Sequence, residues 1–447
     1  MKNAQPIELE SLKKQVKKYE KDRVSTVLRH ALSNTSIDQV VHTQDRASET
    51  DFKFSLDIKT MDATNQKRSG RCWIFAATNV LREIVAKKCN MSSFELSQSY
   101  VAFYDKLEKF NFELEAIIDL IDKDYDDRTL VHVLQNSIGD GGQWDMFVNV
   151  VKKYGVVPKN VMPETFTSSN TQVVTHLVDV ELKKFAHYAH KAYKAGTPLE
   201  EIRKAKEELL SKITTLMLDA YGIPPVKFDF EYTDKDNKYH LVKGLTPKSF
   251  FDKYIGSEID EYVSIINAPT EDKPFNKSYT IDYLGNVVGG KLVKHLNLPM
   301  DRMIELILSQ LKDNQIVWFG SDVSFYGDRT NGEWNDKAFD YETPFSLSFD
   351  TEKGAGLDYR ISAMNHAMCI TGVNLTKDGV PTKWKIENSW GAEAGKKGYY
   401  IMSDTWFNKY TYQAVVKKSY LSEAELKAYE EDPIHLKPWD PMGSLAD

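Results

Sequence analysis

The stretch that decides the fold is Asn65–Phe75, "NQKRSGRCWIF". From Cys72 onward, "CWIFAATNVLREIVAKK" repeats apolar side chains every three or four residues, which predicts a buried helix. A cysteine that opens a helix lies where free N–H groups and the helix dipole favour the thiolate, the nucleophilic form. Cys72 is therefore a candidate nucleophile, and the alternative is an inert cysteine of the core.

Three further residues suit a reaction at this thiol. Gln66 lies on the same loop, so that its side-chain amide and the Cys72 backbone N–H would together form an oxyanion hole. His366 begins the apolar strand "HAMCITGVN" and Asn388 ends the strand "TKWKIEN", and neighbouring strands would bring the two side chains together. A cysteine, a histidine and an asparagine in this arrangement predict nucleophilic catalysis.

These segments resemble the papain-type cysteine peptidases. Residues 69–73, "SGRCW", keep the Gly, Cys and Trp of the family signature but have Ser69 and Arg71 in place of a cysteine and a small residue. The segments "FELSQSY", "GDGGQWDMFVNVVKKYGVVP" and "ENSWG" follow in the family's order. The resemblance implies that Gly141 and Gly142 pair with the substrate backbone, unless they form an ordinary turn. It also implies that Trp390 shields the histidine–asparagine hydrogen bond, unless it is a plain core aromatic.

The spacing of the motifs narrows the resemblance. In papain-type enzymes the histidine follows the cysteine by about 130 to 150 residues, whereas here His366 comes 294 residues after Cys72. A large insertion, an N-terminal helical extension and the tail "PWDPMGSLAD" together resemble the bleomycin hydrolase and bacterial aminopeptidase C group. This implies an α+β, papain-like two-lobed fold with a helical lobe and a β-barrel lobe, and a homohexamer whose active sites face an internal chamber.

The predicted organisation has five segments. They are an N-terminal helical extension (1–45), a helical lobe with the nucleophile (46–167), an inserted helical and hairpin region (168–299), a β-barrel lobe with the histidine and asparagine (300–437) and a C-terminal arm (438–447). Between about 173 and 220 the charged, helix-forming sequence predicts a helical hairpin, and the alternation after Val226 predicts a β-hairpin. Thr246 and Pro247 predict the start of another helix, and Gly155 predicts the end of an earlier one.

The resemblance implies an aminopeptidase that removes N-terminal residues from peptides through an acyl-enzyme. The arm residues Leu445, Ala446 and Asp447 are expected to lie in the cleft, where the chain's carboxylate would meet the substrate's α-amino group. Packing onto another subunit and disorder are the alternatives for the arm. An ordinary papain-like endopeptidase, and a catalytically silent homologue that binds peptides or nucleic acid, are the alternatives for the function.

Composition narrows the class of protein and its partners. The 447 residues are 41% hydrophobic and 28% charged with a net charge of -7, which predicts a globular protein and argues against a nucleic-acid partner. Without an apolar leader or a membrane-length apolar run, the sequence predicts a soluble, cytoplasmic protein with no membrane partner, and its three cysteines suit a reducing compartment. The pair His187 and His190 lacks a metal motif, and "GDGGQW" lacks a nucleotide motif, so no metal or other cofactor is predicted.

Overall fold

The computed structural model describes residues 3–43, 51–348 and 350–446. The helices are α1 (Leu9–Tyr19), α2 (Arg23–Leu32), α3 (Ile37–Val41), α4 (Cys72–Cys89), α5 (Gln98–Asp119), α6 (Arg128–Gln135), α7 (Trp144–Tyr154), α8 (Gln172–Lys194), α9 (Leu199–Tyr221), α10 (Pro247–Tyr254), α11 (Met300–Lys312), α12 (Glu342–Phe345), α13 (Lys353–Asp358), α14 (Asp404–Tyr410) and α15 (Glu423–Glu430). Short 3₁₀ helices cover Gly256–Glu261, Lys418–Tyr420 and Pro441–Ala446.

The strands are mostly in the second half of the chain. They are β1 (Leu56–Asp57), β2 (Phe228–Thr233), β3 (Tyr239–Leu245), β4 (Tyr262–Ile266), β5 (Lys277–Ile281), β6 (His295–Asn297), β7 (Val317–Ser321), β8 (Gly327–Asp328), β9 (Glu333–Trp334), β10 (His366–Leu375), β11 (Pro381–Glu387), β12 (Tyr399–Ser403), β13 (Thr411–Lys417) and β14 (Ile434–Leu436). The chain is thus of the predicted α+β class.

The chain divides into two compact units. One comprises residues 1–51 and 335–350, and the other comprises 52–334 and 351–447. Within the first unit, helices α1 and α2 are amphipathic and bury no side chain, while a bridge joins His42 to Phe339. Nowhere in 3–43, 51–348 or 350–446 is a helix both long enough and apolar enough to cross a membrane. The boundaries of the five predicted segments stay predictions.

In the second unit, the helices form where the sequence predicts them. Helix α4 begins at Cys72 and is buried along most of its length. Helix α7 ends at Gly155, whose φ of 79° and close approach to the Pro247 carbonyl exclude a Cβ. Helices α8 and α9 form the predicted helical hairpin, β2 and β3 form the predicted β-hairpin, and a capping box at Thr246 starts α10.

One sheet of twelve strands carries the β-rich part of this unit. Its order is β14-β5-β6-β4-β13-β7-β10-β11-β12-β9-β8, and β1 also pairs with β10. The central strands β7, β10 and β13 are antiparallel and almost entirely buried, as expected of apolar strands covered on both faces. Because β10 begins and β11 ends at the same edge, His366 and Asn388 emerge side by side.

Helix α4 packs directly on this sheet. The Cys369 thiol of β10 donates to the Ala76 carbonyl of the helix at 3.2 Å, and the Trp318 indole of β7 donates to the Trp73 carbonyl at 3.2 Å. A buried ion pair joins Arg82 of α4 to Glu387 of β11, with 2.6 Å between Nη2 and the carboxylate. These contacts hold the helix that begins at Cys72 against the strands that carry His366 and precede Asn388.

Candidate active site

The Cys72 thiol lies next to the start of strand β10, which carries His366. The Ala367 backbone N–H donates to Cys72 Sγ at 3.4 Å, and Cys72 is the first residue of α4. Cys72 and His366 are each 5% exposed, so little solvent reaches either residue. The structure therefore brings a thiol and an imidazole together across the junction of helix and sheet.

A hydrogen bond to Asn388 fixes the tautomer of His366. Nε2 of His366 is 2.8 Å from Oδ1 of Asn388, and the same oxygen accepts from the Ser389 backbone N–H at 2.8 Å. An amide oxygen only accepts hydrogen bonds, so Nε2 carries the proton and Nδ1 keeps its lone pair. His366 thus has one nitrogen free to act as a base.

Trp390 covers this pair. Its ring is stacked on the imidazole of His366, with the centroids 4.9 Å apart and the planes 30° from parallel. Trp390 also packs against Trp334 and Tyr400, whose ring centroids are 5.8 Å and 5.7 Å from its own. The tryptophan is thus half-buried and covers one face of the imidazole. That it shields the histidine–asparagine hydrogen bond stays a prediction.

Gln66 is held by two hydrogen bonds at its side chain. Its Nε2 donates to the Ser69 carbonyl at 2.7 Å, and its Oε1 accepts from the Ser389 hydroxyl at 2.6 Å. The backbone N–H of Gln66 also donates to the Ser389 carbonyl at 2.8 Å. Ser389 was not singled out from the sequence, although it lies between Asn388 and Trp390, and it connects the Gln66 loop to the asparagine.

The Arg71 side chain, which replaces the small residue of the family signature, is a buried anchor. Its guanidinium forms two hydrogen bonds with the Glu164 carboxylate, at 3.2 and 3.0 Å, and a third with the Ser69 hydroxyl at 2.9 Å. It is 2% exposed. Arg71 therefore fastens the loop before Cys72 to the chain near residue 164, a contact that the sequence motif does not reveal.

Asp140 is a second anchor of the same loop. Its carboxylate accepts from the Gly70 N–H at 3.0 Å, pairs with Lys106 Nζ at 2.7 Å and also accepts from the Thr171 hydroxyl. Although burial acts to raise it, the pKa of Asp140 lies below its ordinary value, because Lys106 and these donors favour the carboxylate. A cavity of about 860 Å³ adjoins this anchor, and its walls include Gly70, Asp140 and Thr175.

The two glycines expected to meet the substrate both have partners within the chain. Gly141 accepts a hydrogen bond from Lys109 through its carbonyl, and the Gly142 N–H donates to the Leu445 carbonyl at 3.0 Å. A Cβ on Gly142 would come within 2.5 Å of the Trp73 ring. Close packing on Trp73 thus gives Gly142 a structural reason for being glycine, besides any approach of a substrate.

The C-terminal arm is packed against the same region. Met442 and Leu445 are 0% and 3% exposed, and the Ser444 hydroxyl donates to the Met364 carbonyl at 2.7 Å. Ala446 lines a small cavity near Lys109 and Glu113. The prediction for Asp447 falls outside the described residues. In this structure residues 438–446 are thus packed against the rest of the chain, and the role of the arm stays a prediction.

Burial disfavours the charged forms of both Cys72 and His366. It raises the pKa of the Cys72 thiol to about 11, although the N–H groups of Ala367, Trp73 and Cys72 itself act to lower it. The N–H groups at the helix start thus favour the thiolate, as the sequence suggests, but desolvation outweighs them. Burial lowers the pKa of His366 to about 4, against the effect of Asn388 and together with the Arg329 charge.

The remaining cysteines and the histidine pair singled out in the sequence have no contact with these groups among the hydrogen bonds of the described residues. Cys89 and Cys369 are buried free thiols. His187 and His190 are on α8, and the residues that the structure describes hold no cluster of three metal-ligating side chains. The chemistry that the site offers is therefore a thiol, an imidazole with a free nitrogen, and an amide that orients it.

A thiol at a helix start and an imidazole on a facing strand define this protein as a papain-like cysteine peptidase. The chain belongs to the Peptidase C1-like family, whose model matches residues 6–443. It is 45% identical to an aminopeptidase C of Streptococcus thermophilus over 428 residues, which are 96% of each chain. It is 47% identical over 399 residues to an aminopeptidase C of Lactobacillus delbrueckii subsp. lactis, covering 89% of each.

A solved structure supports the same fold. The crystal structure of PepW from Lactobacillus rhamnosis superimposes with a TM-score of 0.95 at 41% identity, covering 98% of this chain and 99% of that one. The predicted family and the predicted papain-like fold are thus confirmed.

Proposed function

We propose that this protein is an aminopeptidase that removes N-terminal residues from peptides by a Cys72, His366, Asn388 mechanism. Relatives named aminopeptidase C along almost the whole chain support the substrate class. The single observation that carries the restriction to N-terminal residues is the hydrogen bond from the Gly142 N–H to the Leu445 carbonyl. The arm thereby occupies backbone that a longer substrate would need.

The proposed reaction begins with proton transfer from the Cys72 thiol to Nδ1 of His366. The sulfur then forms a bond to the scissile carbonyl carbon, and the oxyanion accepts hydrogen bonds from the Cys72 N–H and from the free hydrogen of Gln66 Nε2. The carbon–nitrogen bond breaks as His366 returns the proton to the leaving amine. His366 next takes a proton from water, whose hydroxide cleaves the thioester and releases the acid and the thiol.

A direct transfer of the proton suits the buried pair. Each group alone resists its charge, since burial raises the pKa of the Cys72 thiol and lowers that of His366. When the proton moves from sulfur to nitrogen, the two charges appear together and stabilise each other. Asn388 supports the imidazolium by accepting from Nε2 throughout.

The arm is the proposed device that excludes longer substrates. Asp440 pairs with Lys273 at 2.9 Å, and the Arg128 guanidinium lies 3.7 Å above the Trp439 ring. These contacts hold the base of the arm, and Met442 and Leu445 fill the space beyond it. A peptide that extended past its N-terminal residues on this side would collide with the arm.

The test compares wild type, Cys72→Ala and a protein that lacks residues 441–447. Wild type should release amine from an aminoacyl arylamide but should not cleave an N-acetylated decapeptide, and Cys72→Ala should do neither. The truncated protein should cut the N-acetylated peptide at internal bonds. Equal rates for wild type and Cys72→Ala would refute the peptidase mechanism and favour the silent homologue. Cleavage of the blocked peptide by wild type would favour an endopeptidase.

Self-association, as a homohexamer, is the second part of the proposal. It is supported by the exposed apolar side chains of the first unit. In and next to helices α1 and α2, the most exposed are Ile7 (87%), Val24 (72%), Val27 (68%) and Leu9 (61%). Such side chains on amphipathic helices are typical of a surface that another subunit covers. Light scattering of wild type and Val24→Glu/Val27→Glu tests this, since a monomeric wild type would refute it.

The cytoplasmic location remains proposed, and the three free cysteines suit it.

A further inference from the structure

Arg329 is an exposed residue that lies over the tryptophan of the active site. Its guanidinium carbon is 4.6 Å from the ring centre of Trp390, whose ring is stacked in turn on His366 at 4.9 Å. Within 3–43, 51–348 and 350–446, Arg329 forms no hydrogen bond and no ion pair. A guanidinium that packs on an aromatic face keeps its N–H donors available at the edge.

The position of this guanidinium relative to the reaction follows from the mechanism. His366 returns the proton to the leaving amine, so the leaving group must lie beside the imidazole. The arm contacts Gly142 and the Met364 carbonyl. Trp390 is stacked on the imidazole itself, and Arg329 lies over the Trp390 ring. Because the leaving group must lie beside this imidazole, Arg329 is placed with the leaving group.

The charge of Arg329 reaches the reacting groups. After burial, which is the main cause, the guanidinium also acts to lower the pKa of His366. The neighbouring Asp328 has other partners, since its Oδ1 accepts from the backbone N–H groups of Thr330 and Asn331 at 2.9 and 3.0 Å. The positive charge thus remains available to a ligand.

A carboxylate is the ligand that this position favours. Guanidinium groups bind carboxylates through paired, charge-assisted hydrogen bonds. In a dipeptide, the leaving amino acid carries its free carboxylate within about 3.3–3.6 Å of the scissile nitrogen, the length of one extended residue. The carboxylate of a longer peptide lies farther away by this distance for each added residue.

We propose that Arg329 and Trp390 form a carboxylate-binding subsite on the leaving-group side, which favours peptides whose free C-terminus directly follows the scissile bond. Dipeptides are the preferred class. The subsite rests on the proposed aminopeptidase function, because a leaving amino acid exists only if the peptide is cleaved. It adds selection by the C-terminus to an enzyme whose arm selects by the N-terminus.

The experiment measures kcat/KM for alanyl-leucine and for its C-terminal amide, which differ only in the carboxylate. Wild type should prefer the acid by about threefold to tenfold, as one exposed charge-assisted hydrogen-bonded pair provides. In Arg329→Gln this ratio should fall to about one, while Arg329→Lys should keep part of it. The ratio should also decline as salt is added, because exposed charges are screened.

A matched control is Arg203→Gln, which removes an exposed arginine of helix α9 that pairs with Glu115 of helix α5. Its ratio should equal that of wild type. A wild type that hydrolyses both dipeptides without preferring the acid, or an Arg329→Gln variant that keeps the preference, would overturn the subsite alone. A wild type that hydrolyses neither dipeptide nor an aminoacyl arylamide would overturn the proposed function, and the subsite with it.

Discussion

Nε2 of His366 lies 2.8 Å from Oδ1 of Asn388, and the ring of Trp390 covers this hydrogen bond. The arrangement decides which imidazole nitrogen is protonated and covers one face of the ring. It also makes the protonation of His366 sensitive to the chemistry of its partner, so that pH profiles report on the site.

The pH dependence of kcat/KM should show a broad plateau. Below a pH of about 4, the pKa of His366, the imidazole is protonated and cannot accept the thiol proton, so activity falls as the pH falls through this value. Above about 11, the pKa of Cys72, the pair has lost the proton that the leaving amine needs. Arylamide hydrolysis measured across this range, with circular dichroism to verify folding, tests the expectation. An acid limb centred near neutral pH would contradict it.

Asn388→Asp should move the acid limb to higher pH. A carboxylate next to Nε2 stabilises the imidazolium and raises the pKa of His366, so activity is lost at a higher pH as the solution is acidified. We expect a displacement of about 1 to 3 pH units. Asn374→Asp, at the far end of strand β10, which His366 begins, should leave the limb in place. Equal profiles for Asn388→Asp and wild type would argue against the assigned role of the asparagine.

Gln66→Ala should lower kcat by about a hundredfold or more, because one donor to the oxyanion is lost. KM for an arylamide should change little, since the interaction strengthens in the transition state. Ser389→Ala should have a smaller effect, as it removes only the hydroxyl that holds Gln66 Oε1 at 2.6 Å. A change confined to KM in Gln66→Ala would be inconsistent with an oxyanion hole.

Asp440→Asn should loosen the arm without removing it. Asp440 is buried against Lys273, which keeps its second partner Asp272 at 2.9 Å. Loss of this ion pair should lower the free energy of unfolding by about 1 to 3 kcal/mol, which is typical of a buried hydrogen-bonded charge. Hydrolysis of an N-acetylated peptide should then become measurable. Asp252→Asn, which removes an exposed ion pair with Lys248, serves as the control. If only the control variant cleaved the blocked peptide, the arm would not be the barrier.

Arg82→Met should destabilise the fold by about 3 to 5 kcal/mol, because it leaves the buried Glu387 carboxylate without its cation. Arg82 is 2% and Glu387 1% exposed, and only neutral donors such as Asn79, at 2.8 Å, remain within hydrogen-bonding distance among the described residues. Urea unfolding of wild type and variant measures the difference in their free energies of unfolding. Arg203→Met, which removes the exposed pair with Glu115, should change it by less than about 1 kcal/mol. Similar values for the two variants would contradict the difference in burial.

Local sequence was sufficient for much of the architecture. Helices α4, α7, α8 and α9 and the β2–β3 hairpin were predictable because their spacing of apolar residues and their terminating residues act over a few positions. The candidate groups Cys72, Gln66, His366 and Asn388 were also identifiable from motifs. Their chemistry depends on residue type and on nearby elements, which a sequence displays directly.

Contacts between distant segments were not predictable in the same way. The anchoring of Arg71 by Glu164, the hydrogen bond of Gln66 to Ser389 and the position of Arg329 over Trp390 join residues that are far apart in the chain. No local pattern specifies them. Such contacts stabilise the protein only after folding has brought the two residues together and removed them from water.

By itself, the sequence determined the α+β class, the peptidase family and the residues that offer the chemistry. Only the tertiary structure decided how those residues are protonated. Cys72 begins a helix, which favours a thiolate, yet burial against strand β10 outweighs this effect and raises its pKa. Desolvation depends on every segment that surrounds a group, so it is a property of the folded chain and not of any motif within it.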